Sequence, residues 1–270
     1  MLEPSLIIEM VALGLVAGFL AGLLGIGGGM LIGPVLTAIM SARGIGTDLA
    51  VKMSIATSMA TIVFTSISSV RAHHQRGAVR WDIVKRLAPG IVLGAALASV
   101  GVFSVLKGTA LALFFAAFVT FSATQMFLDK KPKPGRDMPG SAGQMAWGGG
   151  IGFLSGLVGA GGGFISVPFM VAHAVPAINA VATSAALGFP IALANTVGFI
   201  ISGQSAADLP TASAGYVWLP ALAVIAGASV LTAPLGARTA HRLPVAKLKK
   251  IFALLLYGLA AYMAYKGLRS

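Results

Sequence analysis

The chain alternates between long apolar runs and short polar connections. Seven runs hold about twenty residues, the length of a helix that spans the hydrocarbon core of a bilayer, and three are shorter. Their approximate bounds are 5–24, 30–41, 48–70, 82–104, 107–128, 144–158, 164–175, 179–203, 216–236 and 245–266. The pattern predicts an all-α polytopic membrane protein.

One stretch within this pattern occurs twice, about half a chain apart. Residues 18–36 are GFLAGLLGIGGGMLIGPVL and residues 152–170 are GFLSGLVGAGGGFISVPFM, with ten of nineteen positions identical. Because consecutive glycines weaken a helix, each copy predicts a break that is followed by a short half-helix. The duplication predicts two membrane repeats, 1–128 and 144–270, joined by a polar cytoplasmic linker, 129–143, that contains three prolines.

Composition and charge refine this picture. The chain is 57% hydrophobic and 10% charged, whereas soluble domains carry about 25% charged residues. If the chain turns back at each glycine break, 14 Lys and Arg residues lie on one side of the membrane and 5 on the other; without the turns the counts are 11 and 8. Basic loops face the cytoplasm. The bias therefore favours five helical segments per repeat, an inverted relation between the repeats, and both termini outside.

Other features exclude several classes of function. The net charge of +12 lies in short loops between apolar runs, which indicates membrane orientation rather than binding of nucleic acid. The chain has no Cys, so disulfides, thiolate chemistry and Cys-ligated zinc are excluded. The first apolar run lacks a basic residue before it, unlike a cleaved signal peptide, and we expect it in the mature protein.

The glycine triplets are the leading candidates for a binding site. A run of three glycines suits a chain reversal and exposes backbone N–H groups, and the half-helix that follows places its positive dipole end at the break. We expect these residues to line an anion site, the alternative being turn geometry alone: Gly27, Gly28, Gly29, Gly161, Gly162 and Gly163. The other glycines of the motif recur every four residues, a spacing typical of close helix packing in membranes: Gly14, Gly18 and Gly22, and Gly148, Gly152 and Gly156.

Two pairs of hydroxyl residues recur after the breaks. Each pair is followed eleven residues later by another polar residue, on the same helix face because eleven residues make about three turns. These six residues are candidates for the substrate pathway: Thr57, Ser58, Ser69, Thr183, Ser184 and Asn195. The alternative is that the hydroxyls bond to carbonyls of their own helix. Pro34, Pro168 and Pro190 are assigned structural roles, the last as a predicted helix kink.

These motifs resemble the TauE/SafE family. The resemblance rests on the doubled G-x-x-G-x-G-G-G-x-x-x-x-P segment (Gly22–Pro34 and Gly156–Pro168), the Ala-Thr-Ser motif at 56–58 and 182–184, and the two-repeat layout. It covers nearly the whole chain. The family comprises sulfite and organosulfonate exporters, also called the toluene-sulfonate uptake permease group. The resemblance implies transport of a small sulfur-containing anion across the bacterial inner membrane, and leaves the specific substrate open.

The expected function is secondary transport of a small anion, a sulfur oxoanion or organosulfonate, by alternating access. Alternatives are a passive anion channel of the same fold and a transporter of a small organic carboxylate. We expect no enzymatic activity, catalytic residue, metal site or cofactor, since the chain lacks Cys and H-E-x-x-H, and no carboxylate falls mid-membrane. The expected partners are the anion and the lipid bilayer. Proton or ion coupling and a homodimer stay open, and His73 and His74 are interpreted as interfacial residues of a basic loop.

Overall fold

Ten helices make up nearly all of the part of the chain that the structure describes. The computed structural model describes residues 3–25, 28–128, 137–242 and 246–269. The helices are α1 (Pro4–Leu24), α2 (Gly29–Ala42), α3 (Thr47–His74), α4 (Trp81–Val105), α5 (Gly108–Leu128), α6 (Ser141–Val158), α7 (Gly163–Ala172), α8 (Ala177–Ser202), α9 (Leu219–Ala240) and α10 (Ala246–Arg269). Seven of them are long and apolar enough to cross a membrane, which confirms the prediction of an all-α polytopic fold.

The structure adds three features that the sequence pattern does not predict. Residues 213–214 and 217–218 form a two-stranded antiparallel hairpin before α9. Residues 97–102 of α4 are π-helical. Helix α6 begins at Ser141, inside the predicted linker, where the side-chain amide of Gln144 donates to the Pro139 carbonyl at 2.7 Å. Residues 129–136 of that linker lie outside the described residues.

Helices α1 and α2 form an antiparallel pair because the chain turns back at the first break. Arg43, which follows α2, lies 4.0 Å from the Glu3 carboxylate and 3.9 Å from that of Glu9, at the start of α1. In the second half the Trp147 ring of α6 lies 4.9 Å from the Phe169 ring of α7. Each break is therefore a reversal of the chain.

Each long helix of one half packs against the other half. The glycine stripe of α1 meets α9 in the same order along both helices, so the two run parallel; the contacts join Gly14 to Ile225, Gly18 to Ser229 and Gly22 to Ala233. The stripe of α6 meets α4 in the same way, through Gly148 to Leu87 and Gly152 to Ile91. These contacts confirm the packing role of those glycines, because a Cβ at each would overlap a backbone oxygen.

Helices α3 and α8 cross the centre of the protein in opposite directions. The Asn179 amide, at the start of α8, donates to the Ala78 carbonyl beyond the end of α3, at 2.9 Å. At the other end, Lys52 near the start of α3 lies over the ring of Tyr216, beyond the end of α8. Corresponding helices of the two halves therefore run antiparallel and exchange partners, α1 on α9 and α6 on α4. An inverted pair of repeats requires this arrangement.

Candidate functional site

The two glycine breaks meet at the centre of the fold. A Cβ added to Gly29 would overlap the carbonyl oxygen of Gly159 and lie 3.0 Å from the Cα of Ala160. Glycine at position 29 therefore allows the backbone of one break to touch the backbone of the other. This contact joins residues that are 130 positions apart, and the sequence pattern of a single repeat does not predict it.

Both breaks have the same backbone geometry. Each preceding helix ends in a left-handed glycine, Gly25 at φ 68° and Gly159 at φ 73°. Each following helix begins after a second left-handed glycine, Gly28 at φ 74° and Gly162 at φ 76°. Positive φ favours glycine, since a Cβ is strained there. These four positions explain why the motif cannot be a plain helix.

Neither half-helix has a side-chain cap at its N-terminus. The first amides of a helix have no partner within that helix, and the aligned peptide dipoles place partial positive charge there. Helix α2 starts with Gly29 and α7 with Gly163, while Gly161 lies in the turn before α7. Gly27 lies outside the described residues. Each break therefore presents amide N–H donors whose hydrogen bonds a bound anion can accept.

Two serines bind the breaks across the repeats. The hydroxyl of Ser58 on α3 shares its proton between the carbonyl of Gly159 at 3.1 Å and that of Gly29 at 3.3 Å, and Ser184 of α8 donates to the carbonyl of Gly25 at 2.8 Å. Both side chains are fully buried. Each serine therefore satisfies the carbonyl of the glycine that ends the first helix of the opposite repeat. Ser184 also accepts a hydrogen bond from Ser166 of α7 at 2.9 Å.

The two threonines of the predicted set make a different contact. The Thr57 hydroxyl accepts a hydrogen bond from the backbone N–H of Trp218, and the Thr183 hydroxyl accepts one from the N–H of Arg80, both at 3.0 Å. Trp218 and Arg80 directly precede α9 and α4. These hydroxyls thus hold the entries of the fourth helices of the opposite repeats, and the structure does not bring them to the breaks.

A small cavity lies beside the first break. Its free volume is about 10 Å³, enough for a single water molecule. Its polar wall includes Ser66, Ser69 and Ser184, and its backbone wall includes Gly25 and Gly188. The Ser69 hydroxyl is buried and has no hydrogen-bond partner among the described residues. A sulfur oxoanion is larger than water, so this space is closed to such a substrate in the conformation described.

The second break has its own unpartnered polar groups. The Asn195 amide nitrogen donates to the Ile191 carbonyl at 2.8 Å, but the Asn195 side-chain oxygen is buried without a partner. It lies against Gly156, where a Cβ would overlap it. The Ser155 hydroxyl is likewise buried and unpartnered, beside Gly162. Buried polar atoms are nearly always hydrogen-bonded, so unpartnered oxygens beside both breaks mark places where water or a ligand donor fits. Asn195 was predicted to face the interior, and its burial confirms this.

The three prolines lie inside helices. Pro34 and Pro168 occupy the sixth residue of α2 and of α7, and Pro190 lies in the middle of α8. Proline removes one N–H donor and leaves the carbonyl four residues earlier without its helical partner. The matching places of Pro34 and Pro168 support their structural role, and the kink at Pro190 stays a prediction.

Both ends of the central pair α3 and α8 are closed by side chains. At one end the His73 ring nitrogens lie 3.1 Å from the Gly22 carbonyl and 3.1 Å from the His241 ring. His73 is fully buried in the last turn of α3, and His74 is the last residue of that helix, so their assignment to a loop is wrong. The signal that could have located His73 is the apolar spacing of α3, which continues through Ala72.

The opposite end is closed by an aromatic cluster. The ring of Phe103 lies 4.3 Å from that of Phe199 and 5.7 Å from that of Tyr216, and the Lys52 ammonium lies 5.6 Å from the Tyr216 ring. Burial, followed by the Asp48 carboxylate, raises the pKa of Tyr216 above its usual value, so this ring stays neutral. In the described ranges, no group of three or more His, Asp or Glu side chains is placed to hold a metal ion.

The comparisons with known proteins agree with this architecture. A family model described as "Sulfite exporter TauE/SafE" matches residues 10–263. A "Probable membrane transporter protein" of Haemophilus influenzae is 37% identical over 254 residues, covering 94% of this chain and 96% of the relative. "Probable membrane transporter protein YunE" of Bacillus subtilis is 27% identical over 285 residues, covering 97% and 98% of the two chains. No solved structure matches the chain.

Proposed function

The chain belongs to the TauE/SafE sulfite exporter family, and on that premise we propose that it is a secondary transporter of a small anion. Its relatives are named as probable membrane transporters, and seven of its described helices can span a bilayer. It is a multi-pass membrane protein. The proposal adds the substrate class, a sulfur oxoanion or organosulfonate, and a mechanism of alternating access between inverted repeats.

The observation that carries the proposal is the meeting of two uncapped half-helices at the centre of the fold. Their N-termini supply amide donors without a charged side chain. Serines from the opposite repeat hold both breaks, and the unpartnered hydroxyls of Ser69 and Ser155 lie next to them with a proton to donate. In transporters with inverted repeats, broken helices at the repeat interface form the substrate site. The donors here suit an oxoanion, which offers several acceptor oxygens.

A carrier fits the contacts better than an open channel. The cavity beside the first break holds about one water, and both ends of the central helix pair are closed, by His73 and His241 at one end and by Phe103, Phe199 and Tyr216 at the other. This is an occluded arrangement. Transport then requires one end to open at a time, and the antiparallel helices α3 and α8 provide equivalent elements at the two ends.

Flux in proteoliposomes tests the proposal. We expect uptake of labelled sulfite or of an aliphatic sulfonate to saturate with concentration, to show counterflow, and to respond to an imposed proton gradient if protons couple transport. Unsaturable conductance would identify a channel and contradict the carrier mechanism. Competition by acetate or another small carboxylate, without competition by sulfonates, would contradict the substrate class.

The proposed placement is the bacterial inner membrane with both termini outside. The start of α1 and the end of α2 lie together at Arg43, so the proposal places both on the outer side. A reporter fused to the C-terminus is expected to show the outer side, and a cytoplasmic signal would contradict five segments per repeat.

A further inference from the structure

A groove of about 550 Å³ lies outside the central site, between the C-terminal halves of α3 and α9. The two helices run parallel here, since Thr65 contacts Ser229 at 2.7 Å and Ser68 donates to the Val230 carbonyl at 2.9 Å. Along the groove the character of the walls changes. Phe64, Ile67 and Pro234 form an apolar part, and Arg71, Arg76 and Arg238 form a basic end.

The apolar part faces the surroundings of the protein. Phe64 is 48% exposed and Ile67 50% exposed, on a helix that is long and apolar enough to span a membrane. The Ser68 hydroxyl in this wall donates its hydrogen bond to α9 and is not free for a ligand. This part of the groove is therefore an apolar surface against which an acyl chain can pack.

The basic end has no acidic counterpart. Arg71, Arg76 and Arg238 form no ion pair with any residue that the structure describes. Arg76 donates one N–H to the Ala72 carbonyl at 2.7 Å, which leaves most of its five donors. Arginines near helix C-termini interact favourably with the helix dipole, and basic residues on the cytoplasmic side act as topology signals. Neither role requires three of them, from two helices, around one groove.

We propose that this groove binds an anionic phospholipid, with the phosphate at Arg71, Arg76 and Arg238 and an acyl chain along Phe64 and Ile67. Guanidinium groups match phosphate geometry with paired N–H donors, and basic pockets between membrane helices on the cytoplasmic side suit anionic headgroups. The groove joins a charge site to an apolar track in the order that a lipid presents them. A soluble anion would use only the basic end.

Native mass spectrometry of the full chain in neutral detergent tests this inference. Phosphatidylglycerol is expected to remain bound with at least about ten-fold greater occupancy or affinity than phosphatidylcholine, and to raise the unfolding temperature. The variant R71Q/R76Q/R238Q should lose that preference. The variant R71K/R76K/R238K keeps the charges and should retain part of it, which separates loss of binding from loss of folding.

A matched control and a soluble probe decide the outcome. The variant K85Q/R86Q/R242Q removes three exposed charges of the same sign outside the groove, and is expected to bind phosphatidylglycerol like the unchanged protein. Equal loss in this control would show a nonspecific charge effect and overturn the proposal. Stabilisation by glycerol phosphate or inorganic phosphate as strong as that by the lipid would instead identify a soluble-anion vestibule, and would also overturn it.

Discussion

The two glycine breaks share a framework but differ in the polar groups beside it. In both, left-handed glycines flank the turn, and a serine from the opposite repeat donates to the glycine carbonyl that ends the preceding helix. The first break adds the Ser69 hydroxyl, whereas the second adds the larger Asn195 amide and the Ser155 hydroxyl. The shared part holds two helix ends together. The differing part is where the two halves of a site can contact an anion unequally.

The largest expected effect comes from separating the two breaks. In G29A the new Cβ would overlap the Gly159 carbonyl, a backbone atom that cannot rotate away. Overpacking of this kind costs about 1–3 kcal/mol or more, and the breaks would have to move apart. We expect proteoliposome transport to fall to background while the protein still inserts in the membrane.

The matched control lies one turn away in the same half-helix. In G33A the Cβ would meet only the Phe115 ring, at 3.7 Å, an ordinary contact. Transport close to that of the unchanged protein is expected. Similar loss in both variants would mean that any added methyl group in α2 is harmful, and the contact between the breaks would not be the reason.

The next effect concerns the serines that hold the breaks. S58A and S184A each leave a buried carbonyl without its donor, which costs about 1–3 kcal/mol. Both variants should lower thermal stability in detergent and reduce transport, S184A by more, because it also leaves the Ser166 hydroxyl without its acceptor. T61V is a suitable control, because the Thr61 hydroxyl bonds only to the carbonyl of Thr57 in its own helix. If T61V destabilised as much as S58A, the bond between repeats would have no special role.

A smaller effect is expected where the breaks differ. N195S shortens the side chain beside the second break to the residue found at the matching position 69 of the first. If the second N–H of the Asn195 amide donates to the anion, the half-saturation concentration should rise about five-fold, the equivalent of about one hydrogen bond, with little change in stability. S69A tests the other side, and S202A is a control outside both breaks whose hydroxyl is also buried without a partner. An unchanged half-saturation concentration in N195S and S69A would place the anion elsewhere.

The sequence predicts the helices and the reversals, but not the contacts between the repeats. Hydrophobic runs and glycine triplets predict the ten helices and both reversals, because hydrophobicity and the backbone conformation of glycine are properties of residues that are close in sequence. The hydrogen bonds from Ser58 to Gly159 and from Ser184 to Gly25 join different repeats, so the hydrophobic periodicity within one repeat does not predict them. The recurrence of Thr57 and Thr183 was a sound signal of a shared role, but the pattern alone could not show that their hydroxyls accept from the N–H groups of Trp218 and Arg80.

The last difference lies between the two ends of the central pair α3 and α8. The end with His73 and His241 can take up a proton near neutral pH, whereas the aromatic end cannot. A carbonyl only accepts, so the His73 ring donates to Gly22 through Nε2, and a neutral His73 then accepts from His241 through Nδ1. Burial, and to a smaller extent the Arg76 guanidinium, lower the pKa of His241 below its ordinary value of 6.5. The facing groups are His73 at the end of α3, Arg76 just beyond that helix, and the Gly22 carbonyl on α1.

This lowered pKa predicts a small, signed pH effect. Below 6.5 the unfolded chain protonates His241 before the folded protein does, so stability is full above that pH and is lost as the pH falls. We expect the unfolding temperature to drop between about pH 7.5 and about pH 5.5, and to drop less in H241Q, whose amide can still donate to His73 but does not titrate. The other histidines are present in both proteins, so the difference between the two curves reports on position 241 and its contact with His73. Identical curves would mean that this end of the protein is closed by packing alone, as the aromatic end is.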